Sequence, residues 1–361
     1  MFRPKHYVPI LKGREGEYGA LSCLSPEARD RMTPVLEPPP IPWDFEEERP
    51  AKSIDEHLQK VGQKIDRAWG PSRPFFLDCM WIAETERMSD GSHPVEYLFD
   101  SARSRGLAAI PVVGLLRGAD YLDACARMIR QDGRGVCVRI QREDFTDFPD
   151  LAGEMRRLLD AIEVSPANAD LLLDLRALTP DARRIDAAGA LSLMAQIPNV
   201  DRWRTFTLAG TSFPENLIGL PPSDCSVVPR HEWGLWRSVL AAQPSRFPTF
   251  GDYAISHPEP SEVDYRVMRP SASVRYTADG SWLVLKARNL RDHGYEQFHD
   301  VCRDLIDRAE YSGSHFSWGD KYIDDCANEI AGTGNLTTWR KVGTSHHLAF
   351  VLRGIANAPE P

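Results

Sequence analysis

Short, nearly continuous apolar runs recur through the first 255 residues, each bounded by glycine, proline or charge. Eight stand out: Tyr7–Leu11, Thr33–Glu37, Pro74–Cys79, Ala108–Leu115, Gly135–Gln141, Asp170–Leu175, Arg204–Ala209 and Phe247–Ala254. Runs of this kind predict strands buried on both faces, because a strand with one wetted face would alternate. Between them lie segments with apolar residues near helical spacing: Glu15–Arg31, Ile54–Trp69, Pro94–Arg105, Tyr121–Gln131, Leu151–Glu163, Asp181–Gln196 and Glu232–Ala242. Thr179-Pro180-Asp181 predicts a helix start, with a capping residue followed by proline in the first turn. Strand and helix alternating eight times predict an α/β fold, a closed (β/α)8 TIM-type barrel. The competing arrangement is an open doubly wound sheet. It usually has fewer strands and a glycine-rich first turn, whereas Lys12-Gly13-Arg14-Glu15-Gly16 lacks the G-x-G-x-x-G spacing.

The alternation stops after the eighth run. Ser256-His257-Pro258-Glu259-Pro260 is stiff and cannot continue a sheet. Ser273–Tyr276 and Trp282–Ala287 then flank an Asp279-Gly280 turn, a strong hairpin signal. Helical patterns follow at Tyr295–Ala309 and Lys321–Ala331, and His346–Ala356 supplies a candidate eighth barrel helix. The expected organisation is therefore a barrel over residues 1–255, a large insertion after strand eight over 256–344, and the last barrel helix and tail over 345–361. An insertion at that point rises from the face where barrel proteins place their sites.

Composition narrows the class. The 361 residues are 42% hydrophobic and 26% charged, an ordinary balance for a chain with a large core. The net charge of −9 argues against a generic nucleic-acid coat, while leaving room for a local basic cleft. No apolar run is long enough to span a membrane, and the first residues do not read as a signal peptide. Seven cysteines without a Cys-x-x-Cys pair suggest neither a zinc ribbon nor a redox dithiol. A cytoplasmic location without membrane association is the expectation.

Several motifs are distinctive. They are Tyr7-Val8-Pro9-Ile10-Leu11-Lys12-Gly13-Arg14-Glu15-Gly16-Glu17-Tyr18-Gly19-Ala20-Leu21, Thr33-Pro34-Val35-Leu36-Glu37, Phe250-Gly251-Asp252-Tyr253 and Phe316-Ser317-Trp318-Gly319-Asp320. The tail adds Gly332-Thr333-Gly334-Asn335, Trp339-Arg340 and His346-His347-Leu348. Together they resemble the "beta protein" family of bacteria and mobile elements, over nearly the whole chain. The resemblance implies a companion of phage-related and phage-defence genes, and hence a prokaryotic anti-phage defence context. It implies no particular catalytic residues.

In a barrel, the polar residues at the carboxyl ends of strands point into the site. Here those ends carry Lys12, Glu37, Asp78, Arg117, Arg139, Asp174, Arg176, Thr211, Ser212, Asp252 and Tyr253. Glu37, Asp78 and Asp174 have the chemistry to hold Mg²⁺ or act as a base, with Lys12 stabilising charge. The plainer reading pairs each carboxylate with a neighbouring cation and needs no metal. Arg117, Arg139 and Arg176, with Lys286 and Arg288 from the hairpin, would form a cationic cup suited to phosphate. Ala209-Gly210-Thr211-Ser212 lies where barrels often bind phosphate. In the insertion, Trp318 could stack on a ring or simply pack.

These residues point to a phosphorylated ligand, either a nucleotide or a nucleic-acid end. If the chain is an enzyme, phosphoester hydrolysis is the natural chemistry. The alternative is a non-catalytic subunit that binds a partner protein of the same defence system. A sugar-active barrel using Glu37 and Asp174 is a third reading, and it requires those carboxyls to face each other across an open groove.

Overall fold

The computed structural model describes residues 5–71, 73–178, 185–222, 224–260 and 269–358. The helix start expected at Thr179-Pro180-Asp181 lies outside the described residues. The following helix runs Ala187–Gln196 and is capped by Asp186, whose side chain accepts from the Gly189 amide.

The eight apolar runs are eight parallel strands that close on themselves. They are β1 (Tyr7–Leu11), β2 (Val35–Leu36), β3 (Pro74–Leu77), β4 (Ala108–Val113), β5 (Val136–Gln141), β6 (Ala169–Ala177), β7 (Thr205–Thr211) and, after an outlying strand β8 (Asp224–Pro229), β9 (Thr249–Asp252). Closure is made by β1, which sets Tyr7 opposite Phe250 on β9 and Ile10 opposite Val35 on β2. An open sheet is thereby excluded. Residue parity follows from the pleat. On β6, Leu171, Leu173 and Leu175 face the helix layer, while Leu172 lies in the barrel interior with Ile10, Val35, Phe76, Val112 and Cys137.

The principal helices of the outer layer are α1 (Glu15–Ser22), α2 (Val61–Ala68), α3 (Pro94–Arg103), α4 (Ala119–Asp132), α5 (Leu151–Ala161), α6 (Ala187–Gln196) and α7 (His231–Ala241). Several are shorter than their apolar periodicity suggests. The Glu15–Arg31 segment, for instance, breaks after Ser22 and restarts at Pro26, where Ser25 caps a single turn.

The insertion carries an antiparallel hairpin, β10 (Ser271–Ala278) and β11 (Ser281–Asn289), turning at Asp279-Gly280 with Gly280 at φ 69°. Strand β8, from the loop after β7, pairs with β11 to complete a three-stranded sheet. Helices α8 (Gln297–Ile306) and α9 (Trp318–Ala327) pack on it, and α10 (Leu336–Asn357) closes the chain. α10 belongs to both parts. Trp339 and Val342 sit in the insertion's core, whereas Leu348, Val351, Leu352 and Ile355 sit in the barrel–helix core. At about 1.5 Å per residue its 22 residues span roughly 33 Å, enough to serve both.

Two adjacent histidines on α10 lock the parts together. Their side chains point about 100° apart. His347 Nε2 donates to Asp252 at the end of β9 (2.8 Å), and its Nδ1 lies 2.8 Å from the Thr277 hydroxyl on β10. His346 lies 2.9 Å from Asp320 on α9 through Nδ1 and 2.8 Å from the Thr277 carbonyl through Nε2. Both His346 nitrogens therefore face oxygen partners. Asp320 also accepts from Tyr276 and Ser317. All these groups except Ser317 are buried.

Candidate functional site

The carboxyl ends of β2, β3, β5 and β6 aim their polar side chains at one point, and that point is the guanidinium of Arg139. Inward parity on β5 places Arg139 at the barrel axis, 2% exposed. Its Nη1 donates to Glu37 and to Asp78 (2.7 Å each), and its Nη2 donates to Asp174 and to the Tyr253 hydroxyl (2.7 Å each). Tyr253 donates in turn to Asp174 (2.5 Å). Lys12 takes the other Glu37 oxygen (2.6 Å), which also accepts from the Trp81 indole (2.8 Å). Arg117 takes the other Asp78 oxygen (2.8 Å). Three cations therefore answer three buried carboxylates. Burial by itself would raise the Glu37 carboxyl, but Lys12 and Arg139 outweigh it and hold it at about 2.

This geometry tests the metal directly. The carboxylates expected to share Mg²⁺ do converge, but a guanidinium stands between them. The residues as arranged do not fit a divalent ion, and the described residues contain no other group of three potential ligands suited to one. Glu37 and Asp174 are likewise linked through Arg139 rather than facing an open groove, which removes the sugar-hydrolysis arrangement.

A second layer lies at the rim. Asp174 Oδ1 accepts the Arg176 amide (2.9 Å), and β6 slips register there relative to β7. Arg176 consequently adopts a left-handed conformation, φ 52°, which is unfavourable for a side chain with a Cβ. Asp252 holds the Ala254 amide in the same way (2.9 Å), and Ala254 has the same φ. Released from strand parity, the Arg176 guanidinium pairs with Glu259. Pro258, one residue earlier, accepts from Lys12 through its carbonyl. The strap Ser256–Pro260 thus lies over the barrel mouth, held by two cations. Lys12 also sits 5.0 Å from the Trp81 ring centre and 4.9 Å from that of Tyr253. Burial pushes the Lys12 ammonium below its ordinary value, against the pull of Glu37.

The remaining expected residues go elsewhere. Ser212 donates its amide (3.0 Å) and hydroxyl (2.6 Å) to Glu232 of α7, so an internal carboxylate stands where an anion was expected. Thr211 accepts from the Phe213 amide. Asp252 belongs to the histidine joint and also accepts from Tyr7 (2.5 Å). Lys286 donates to the carbonyls of Leu217 and Leu220 (2.7 Å each), fastening the loop after β7 to the outer sheet. Arg288 is exposed near the end of the hairpin away from Thr277. Trp318 stacks on Tyr322 beneath the Lys341 ammonium, 3.7 Å from its ring centre.

Sequence reasoning missed Trp81, Glu259, Arg230 and Glu232. Trp81 follows Asp78 by three residues and could have been read with it. Arg230 lies buried between Trp233 and Trp282, 3.4 Å from Glu232 and 3.6 Å from Asp252. Burial pushes Glu232 up to about 7, despite Arg230 and Ser212. Outside the mouth, a polar crevice of about 170 Å³ lined by Arg87, His93, Asp120 and Arg127 lies beside the starts of α3 and α4. Within it Arg127 pairs with Glu96 and Arg87 with Asp120.

Eight parallel strands closed by β1, with helices between them and a charged cluster at the strand ends, define a (β/α)8 barrel protein of the TIM type. Within that class, the family profile described as Beta protein matches residues 7–353, and the chain belongs to that family. A comparison with curated proteins gives no match. Among solved structures, the chain is similar to a mutant tryptophan synthase alpha-subunit from Pyrococcus furiosus. That match has 15% identity and a TM-score of 0.39, and covers 70% of this chain and 89% of that one. It is also similar to a chitinase from Cycas revoluta in complex with (GlcNAc)3, at 10% identity and a TM-score of 0.34, covering 98% and 100%. Neither likeness is close enough to bear on chemistry. No helix among the described residues is long and apolar enough to cross a membrane.

Proposed function

We propose that this barrel binds a phosphorylated ligand, a nucleotide or a nucleic-acid end, at the rim of its mouth, within a prokaryotic anti-phage defence setting. One observation carries the reading. Arg176 is a fork-shaped cation in a strained backbone conformation at a strand end, and its carboxylate partner, Glu259, is 51% exposed on a strap. Strain of this kind gathers at functional positions, and a guanidinium with Lys12 nearby is the donor set that recognises phosphoryl oxygens. The arrangement supports binding over hydrolysis. The floor carboxylates are already held by Arg139, Arg117 or Lys12, which leaves none of them as a general base. The defence setting rests on the family resemblance.

A second reading, docking of a partner protein on the same face, is favoured by exposed apolar side chains. Trp43, Phe45, Leu116 and Ile218 all lie in segments that follow barrel strands. Calorimetry with inorganic phosphate and a 5′-phosphorylated dinucleotide separates the two. Binding that Arg176→Ala abolishes and Arg176→Lys partly restores supports the rim site, because lysine cannot offer two parallel hydrogen bonds. Absence of binding to wild-type protein favours the docking reading.

A further inference from the structure

The strap is bound to the rim as a ligand would be. Its fastenings differ along its length. At its root, Ser256 accepts from Arg340 (3.3 Å) and lies 3.4 Å from Glu17, and the preceding Ile255 carbonyl accepts from Arg275 (2.9 Å). These contacts anchor the strap to α1, α10 and the hairpin. At its far end, the contacts are of another chemical kind. A carbonyl oxygen of Pro258 meets the buried Lys12 ammonium, and a carboxylate of Glu259 meets the Arg176 guanidinium. Both cations have their own strand-end partners beneath them, Glu37 under Lys12 and Asp174 under Arg176 through its amide. The strap therefore supplies the outward-facing oxygens. Pro258 is buried and Glu259 exposed, so the carboxylate sits at the water's edge, where an incoming anion would meet it first. The backbone also favours this placement, since the Glu259 amide donates to His257 Nδ1 (3.2 Å) and fixes the turn that presents the side chain.

Resting on the phosphoryl-binding reading, we propose that Glu259 is a built-in competitor. Its carboxylate occupies the anion position on Arg176 and must be displaced by an oxyanion ligand. Arg176 engages Glu259 in the unliganded chain and a phosphoryl group in the liganded one. The ligand must bring at least one oxyanion, and a dianionic phosphoryl group displaces the carboxylate better than a monoanion does. A partly exposed ion pair opposes such a displacement only modestly, so the competitor sets a threshold concentration rather than closing the site.

The experiment is calorimetric titration of inorganic phosphate and pyrophosphate into wild-type protein, Glu259→Gln and Arg176→Ala. Glu259→Gln keeps the size of the side chain and removes its charge at a half-exposed position. It should tighten phosphate binding by roughly two- to fivefold, whereas Arg176→Ala should bind neither anion. A Glu259→Lys variant gives the same test by another route: it repels Arg176 and adds a cation, so its affinity should exceed that of Glu259→Gln. Phosphate binding that depends on Arg176 but is unchanged or weakened in both Glu259 variants overturns the competitor and leaves the rim site standing. Failure of wild type and both Glu259 variants to bind either anion overturns the rim site and the competitor together.

Discussion

The floor of the barrel and its rim hold the same kinds of side chain under opposite conditions. Around Arg139, guanidinium, ammonium and carboxylates are buried, short-bonded and satisfied within the chain. At Arg176 the same chemistry lies partly in water, on a strained residue, with a partner from a strap. The contrast teaches that a converging set of charged strand ends is not by itself a site. What matters is whether the set is neutralised by its own members. The floor is, and its carboxylates fix the orientation of one cation. At the rim, among the described residues, the Arg176 guanidinium is paired with a carboxylate that has access to solvent.

The largest effect should come from breaking the floor. Arg139→Met leaves three buried carboxylates facing one another without their shared cation. Losing one partner of a buried ionic network typically costs about 3–5 kcal/mol, so urea unfolding should show a loss of that order. A loss below about 1 kcal/mol would mean that the floor is wetter than its geometry indicates.

A smaller effect sharpens the contrast between two buried carboxylates. Glu37 is held at about 2 by close cations, whereas Glu232 rises to about 7 because burial outweighs a guanidinium 3.4 Å away. A folded-state value above the unfolded one means that Glu232 contributes stability at low pH that is lost as pH rises through 7. Glu232→Gln keeps the acceptor for Ser212 and cannot ionise. Its stability relative to wild type should therefore rise between pH 5 and pH 8, by about 1–3 kcal/mol. Thermal unfolding across that range checks the sign, and a flat difference would place Glu232 in contact with water.

How much of this was legible in the chain depends on which force set each feature. The barrel was legible because strands buried on both faces must be continuously apolar, as in Leu171-Leu172-Leu173. Strand β8 was not, because it is an edge strand in Asp224-Cys225-Ser226-Val227-Val228-Pro229 whose partner lies more than fifty residues later. The convergence of Glu37, Asp78, Asp174 and Arg139 could be anticipated from their strand-end positions. Their mutual neutralisation could not, since parity gives direction but not distance. The motif histidines His346-His347 serve as a joint, because their separation on a helix sends them to different partners. Strand alternation alone sets Arg176 on the same face as Asp174. The register slip that turns it outward follows from the hydrogen bond of Asp174 to its own downstream amide, a local contact that alternation does not encode.

The smallest stability effect and the most decisive functional one belong to Arg176. Glycine tolerates φ 52° without the cost that arginine bears there, so Arg176→Gly should unfold at the wild-type urea midpoint or slightly above it. Calorimetric titration of phosphate into the same preparation tests the central claim. The account predicts a fully folded Arg176→Gly protein that no longer binds phosphate. A folded Arg176→Gly protein that binds phosphate as wild type does would contradict it.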